Sequence, residues 1–390
     1  MTICKSRFLS GLNQFLVTNP RRYISIVIAG FFVMPAAHAE ILFIAKVMGP
    51  VSNVYAIDES GENLKKLTDE PRWRDLAADI SVKGEVVFMS DREKNAKMDM
   101  QKFSGSYNIY KVDTNGKSLQ QITSGSGHEV SPKFSPDGEW IAYISRKEGK
   151  VELKLVKRDG NGTRVLVAAD DILDFSWSPD GKQLSYALLN GADSSLAVLD
   201  LKSGETETLL TVSRKEPPKE NEDDGSYREQ IASVQWSPDG EKIAYIKHPF
   251  DQGEVRQLRV LELKTGKDLL ISPEKAQVQQ PVVWSKDSQR ILYSALVGYK
   301  FYYDETVHKK VYEGGMHVFI SHLEGESRQI TTGDHLFKHP VFSPDEKRIA
   351  FLYADVLAPR TLSLRTMKID GTDIKELYGS VDKRSSLEWY

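Results

Sequence analysis

The chain is 390 residues long, 40% hydrophobic and 9% aromatic, with 52 Lys and Arg against 55 Asp and Glu, a formal net charge of −3. A balance that leans acidic argues against a nucleic-acid partner, which needs a basic face. The one cysteine, Cys4, excludes a disulfide framework and any zinc site built from paired thiolates.

The first 39 residues differ from the rest. They hold Lys5, Arg7, Arg21 and Arg22 without an acid, then an apolar run from Tyr23 to Met34, then Pro35-Ala-Ala-His-Ala39. A basic region, a short apolar region and an Ala-x-Ala end predict a secretory signal cleaved after Ala39. The apolar run falls short of the roughly 20 residues a spanning helix needs. The chain therefore divides into a signal peptide, 1–39, and one domain, 40–390, expected in the periplasm with no transmembrane segment after cleavage. Loss of Cys4 with the signal leaves no cysteine nucleophile.

From Glu40 onward one pattern recurs. Ile41-Leu-Phe-Ile-Ala45 has the form of a returning strand, and Asn53–Asp58, Gly61 and Leu64–Thr68 follow as strand, turn and strand. A worn hairpin, Ile80-Ser-Val-Lys-Gly-Glu-Val-Val-Phe88, comes next. Four fuller copies start at Phe134, Trp177, Trp236 and Phe342, each aromatic-Ser-Pro-Asp, and a fifth, Trp284-Ser-Lys-Asp, lacks the proline. Proline presets φ in such a turn and glycine supplies the positive φ that other residues resist. Hairpins repeating every roughly 45–60 residues are the sequence mark of a β-propeller.

Seven second halves occur but only six complete first halves. The missing strand is Ser385-Ser-Leu-Glu-Trp-Tyr390, which ends in an aromatic at Trp389 as the other inner strands do. The predicted fold is all-β: a seven-bladed propeller whose split first blade is closed by the C-terminal strand, with six blades as the alternative. Closure pairs sheet edges that would otherwise stay open. Three insertions interrupt the rhythm. Ser213–Gln230 is charged, Asp91–Ser106 lengthens the second blade, and Gly298–Gly315 carries Tyr299, Phe301, Tyr302, Tyr303 and Tyr312. The aromatic insertion is read either as a partner-binding patch, since Tyr is enriched at interfaces, or as a long hairpin on its own blade.

The Ser-Pro-Asp-Gly hairpins, Ser90-Asp-Arg92 and the Asn-[Ile/Val]-Tyr-x-[Val/Ile]-Asp…Gly…Leu-Thr halves resemble TolB-like β-propeller repeats over nearly all of 40–390. The resemblance implies a periplasmic WD-like propeller that works by binding partners. Two features depart from the TolB pattern: Glu40 leads directly into a strand where TolB has an α/β domain, and seven blades are counted where TolB usually has six. Related repeats form the non-catalytic propellers of prolyl-oligopeptidase-type enzymes, whose chemistry lies in an α/β-hydrolase domain. No Gly-x-Ser-x-Gly elbow or Gly-rich phosphate loop appears here, so no catalytic residue is assigned.

One candidate ligand site remains. Along the inner strands, the positions one and three before the terminal residue are mostly polar and the position two before it is apolar. Period-two alternation turns one face toward the neighbouring blade and the other toward the axis. Asp174, Gln235, His339 and Glu388 fall on the polar face, and His128 and His335 lie just ahead of their strands. Together they predict a channel able to hold an anionic ligand or a divalent metal. The resulting reading is an exported binding or scaffolding module for an envelope or periplasmic protein, without a cofactor. The alternative is an enzyme with a central metal site, a carbohydrate lyase or hydrolase.

Overall fold

A computed structural model describes residues 39–92, 106–213, 229–249, 252, 255–306 and 308–390. The expected signal peptide up to residue 38 and most of the insertions at 91–106 and 213–230 lie outside the described residues. The described residues contain 28 strands and no helix.

The repeated turn is built by its serine. Ser135, Ser178, Ser237, Ser285 and Ser343 each donate a hydroxyl hydrogen bond to the aspartate two residues on. Each also accepts the backbone N–H five residues on, at 2.9–3.0 Å. One buried hydroxyl thus ties both arms of the hairpin together, so the motif recurs wherever an inner strand must turn back. Gly138, Gly181 and Gly240 take φ of 69–74° at the turn, and Ser288 and Glu346 occupy the same conformation where glycine is absent.

Each turn begins a four-stranded antiparallel meander. Four meanders are separate sheets, beginning with the inner strands Asp75–Ile80, His128–Phe134, Asp171–Trp177 and Gln230–Trp236. The other twelve strands form one sheet through single-residue bridges at Met316–Leu336 and Ala45–Val381. Between those bridges the pairing divides into three more sets of four. Two begin with inner strands Gln277–Trp284 and Leu336–Phe342. The third is split across the chain. Leu387–Trp389 pairs antiparallel with Glu40–Lys46, setting Leu387 opposite Phe43, Glu388 opposite Leu42 and Trp389 opposite Ile41. Reciprocal backbone bonds of 3.0 Å join Glu40 and Tyr390, and the Ser385 hydroxyl accepts the Ile44 N–H at 2.8 Å.

The core lies between the sheets. Among the described residues there are seven buried apolar clusters, and each joins one four-stranded set to the next. Leu42, Ile44 and Val54 pack on Leu76, Val86 and Phe88. The circle returns through Leu336, Ala350, Leu352 and Leu364, which pack on Ile41, Phe43 and Leu387. The C-terminal strand therefore closes a sheet and completes an apolar interface at once.

Two outcomes test this account. Leu387→Ala, at a site 3% exposed, is expected to cost about 2–5 kcal/mol, and deletion of residues 385–390 to cost more and broaden the thermal transition. Ser237→Ala removes both arms' hydrogen bonds at a buried hydroxyl and is expected to cost about 1–3 kcal/mol by chemical denaturation.

Candidate functional site

The inner strands carry an irregularity that the alternation of residue types does not reveal. Ala77, Ser131, Ser233 and His339, each three residues before the end of its strand, have φ of 49–53°. The register slips there, between Leu76 and Asp79, Val130 and Lys133, Ala232 and Val234, and Lys338 and Val341. Two further inner strands slip nearby, between Ile172 and Asp174 and between Gln279 and Val283. A bulge re-aims the side chains on either side of it. Positions expected to alternate strictly therefore share one surface: Ala78, Pro132 and Val282 line the same cavity as Asp79 and Lys133, and Leu387 and Glu388 line it together from the C-terminal strand.

That cavity has a volume of about 620 Å³ and is lined by the inner strands of all seven sets. Its wall is lopsided. Asp79, Lys133, Asp174, Gln235 and Glu388 come from five consecutive sets, whereas the sets after them contribute Pro281, Val282, Val283 and Val341. The strand-end aromatics, among them Trp177, Trp236, Trp284 and Trp389, border it as well.

Most of its polar groups are committed to neighbouring strands. Asp79 accepts the Phe134 N–H at 2.7 Å. Asp174 accepts the Val234 N–H at 3.1 Å, and the Ser176 hydroxyl accepts the Trp236 N–H at 3.2 Å. Lys133 pairs with Asp174 at 3.1 Å, donates to the Phe175 carbonyl at 2.6 Å and lies 4.9 Å from the centre of the Phe175 ring. Glu388 accepts no hydrogen bond from a described residue. Burial, and then the charge of Asp79, push its carboxyl above the usual carboxylate range. Asp79 is raised by burial too, against the opposing pull of the Phe134 N–H and Lys133.

The channel candidates divide. Asp174, Gln235 and Glu388 line the cavity; the three histidines do not. His339 sits at the bulge, where its left-handed backbone places the ring Nδ1 2.6 Å from the Ser385 carbonyl of the adjoining strand. Burial foremost, and then the charge of Lys338, lower its pKa to about 3, so the ring is neutral and Nδ1–H is the donor. His335 lies among Phe337 and Tyr353, with ring centres 6.3 and 5.6 Å away. His128 is exposed at the start of its strand, beside Tyr107. Among the described residues no group of three or more His, Cys, Asp or Glu is placed to hold a metal ion.

The aromatic insertion forms a long hairpin, Arg290–Asp304 paired with Lys309–His322. Its outer half leaves the sheet at a bulge that needs glycine, since a Cβ on Gly314 would lie 2.5 Å from the Gly298 carbonyl. Beyond it Tyr299, Phe301, Tyr302 and Tyr303 are 36–53% exposed. Phe301 packs on Tyr312 across the hairpin at 5.1 Å, and the Tyr302 hydroxyl donates to Glu313 at 2.9 Å. The hairpin's base, with Arg256, Leu296 and Leu357, encloses a second cavity of about 420 Å³.

The electrostatics of Glu388 predict a direction. A carboxyl whose folded pKa is raised stabilises the fold below its unfolded pKa, and that contribution is lost as pH rises through the folded value. The melting temperature is expected to fall as pH is raised from about 5 to about 9, and Glu388→Gln to flatten that fall, making the variant the more stable protein at the alkaline end.

Comparison with known proteins places this geometry. The sequence profile of the TolB beta propeller domain matches residues 100–223. The chain is 26% identical to a Protein TolB homolog of Chlorobium chlorochromatii, over 55% of this chain and 41% of that protein. It is 25% identical to Dipeptidyl-peptidase 5 of Porphyromonas endodontalis, over 61% of this chain and 31% of that enzyme. The chain thus spans less than half the length of these curated relatives. The crystal structure of TolB from Acinetobacter baumannii superposes with a TM-score of 0.50 at 15% identity, covering 88% of this chain and 81% of that one, a likeness of fold. Profile, relatives and fold together show that the chain is similar to TolB-like β-propellers.

Proposed function

We propose that the chain is an exported periplasmic binding module that docks an envelope or periplasmic protein on the outer half of the 290–322 hairpin. The observation that carries this reading is the group of exposed aromatics, Tyr299, Phe301, Tyr302 and Tyr303, on a strand that extends past the rest of its sheet. Aromatic side chains supply large contact area at small entropic cost, and Tyr and Trp dominate binding hot spots. Lys300, Lys309, Lys310, Asp304, Glu305 and Glu313 surround them, giving the polar rim that a protein interface needs. The basic leader ending at Ala39 supports export, and the family resemblance supports partner binding.

The test is crosslinking in intact cells with a photoreactive residue at position 302, followed by identification of the captured protein. A discrete envelope or periplasmic partner is expected. Phe301→Glu with Tyr303→Glu is expected to lower its capture at least tenfold and to leave the melting temperature unchanged, because these side chains are half exposed. Capture unaffected by both substitutions would overturn the docking site.

A further inference from the structure

The hairpin of Arg290–Asp304 and Lys309–His322 has an open edge. On one side, the strand Arg290–Asp304 is paired with Gln277–Trp284 only as far as Leu296, opposite Gln277. On its other side the pairing runs on in unbroken register, from Lys300 opposite Glu313 to Asp304 opposite Lys309. The residues just before Gln277 do not follow it. The Ala276 N–H closes a turn on the Pro273 carbonyl at 3.0 Å, and the Ala276 carbonyl accepts the Arg256 N–H at 2.8 Å. Beyond Leu296 the strand therefore keeps one row of backbone groups with no strand beside it among the described residues. Val297 to Tyr303 are exposed and contain no proline. Such an edge is a template for a further strand.

A second, independent feature lies beside that edge. The cavity of about 420 Å³ at the hairpin's base is walled by Leu296, Tyr299, Phe301, Tyr312, Met316 and Leu357. Tyr299 and Phe301 are two residues apart and Tyr312 lies opposite Phe301, so the three rings share one face of the ribbon. Lys300 and Tyr302 take the other face, where both meet Glu313. Gln277 and Gln279 reach the same cavity. The Gln279 amide donates to the Gln277 carbonyl at 3.3 Å, while the Gln279 Oε1 and the Gln277 carboxamide have no partner among the described residues. An apolar hollow with a few polar groups, within the roughly 300–1,000 Å³ of ligand pockets, is the usual form of a binding site.

From edge and cavity together we infer that the docked partner presents an extended segment. It adds as a strand along Val297–Tyr303 and seats one large apolar side chain in the cavity. This rests on the docking reading and names its chemistry. Side chains of an added strand alternate between faces, so every second one points toward Phe301 and Leu357 while the others stand beside Lys300 and Tyr302. Main-chain hydrogen bonds along the edge supply affinity, and the seated side chain supplies selectivity. Where the segment passes Gln277, the carboxamides offer both donor and acceptor to its peptide groups.

The test pans a random dodecapeptide library, displayed on phage, on the purified protein and then titrates the selected peptides as synthetic compounds. Enriched sequences are expected to carry apolar residues at alternate positions, one of them aromatic or long and aliphatic. Methylating every second backbone nitrogen of such a peptide gives two complementary sets. One set is expected to weaken binding at least tenfold and the other at most about twofold, because only one set faces the edge. Leu357→Trp, which fills the cavity, is expected to weaken binding at least tenfold without lowering the melting temperature. The methylation arm alters only the peptide, so it stands whatever the variant does to the fold. No enrichment, enrichment without alternation, or an equal effect of the two methylated sets would overturn the inference. Capture at position 302 in cells that survives Leu357→Trp would overturn it alone and leave the hairpin as the docking site. Self-association of the protein that competes with the peptide would place a second copy on the edge and overturn it equally.

Discussion

A four-stranded sheet with two apolar faces cannot stand alone in water, and the whole molecule follows from that constraint. Each face is covered by the next set of strands, so seven apolar clusters alternate with the sheets. Such an array has two exposed ends unless it returns on itself. Here the return is made by Leu387–Trp389 pairing with Glu40–Lys46, and by the cluster that joins Ile41 and Phe43 to Leu352 and Leu364. The fold therefore depends on contacts between residues more than 300 positions apart. Their cost in chain entropy grows only slowly with that separation, which makes so distant a closure affordable.

Closure also creates the axial wall. Once the inner strands meet, their backbone N–H groups need acceptors across the seams, and Asp79, Asp174 and Ser176 supply them. The register slips in the strands of Asp79 and of Asp174 and Ser176 bring these side chains into reach. Polar residues in this wall are thus partly structural: three of them stitch one set to the next. Glu388 is the exception. It belongs to the strand that closes the ring, accepts no hydrogen bond from a described residue, and has its carboxyl raised by burial and by the charge of Asp79 against the opposing pull of Lys133.

The hairpin at 290–322 is a departure of another kind. Its inner half belongs to its sheet, whereas its outer half is set apart by the Gly298 and Gly314 bulge and presents aromatics that leave a third to a half of their surface exposed. Of the two readings of that insertion, the structure shows the long hairpin; the partner-binding patch is the proposal made above. The cavity and the hairpin are distinct surfaces, one concave and charged, the other convex and aromatic.

Much of this was legible in the residues alone, for a local reason. Ser-Pro-Asp-Gly specifies a turn within its own few residues, so the hairpins and the unpaired halves at the two ends of the chain could be read directly, and with them the split set. The positions around the axis could not be read in the same way. Strict alternation assumes a regular strand, and nothing in the residue types of Ala77, Ser131, Ser233 and His339 announces that each takes a positive φ. That conformation arises where an inner strand is wedged between two neighbours, so packing decided that His339 bonds the Ser385 carbonyl while Glu388 opens onto the cavity. The sequence determined the repeat, its turns and the strand that ends it; only the closed ring decided which side chains meet at the axis, because those meetings depend on seams between units that no single repeat encodes.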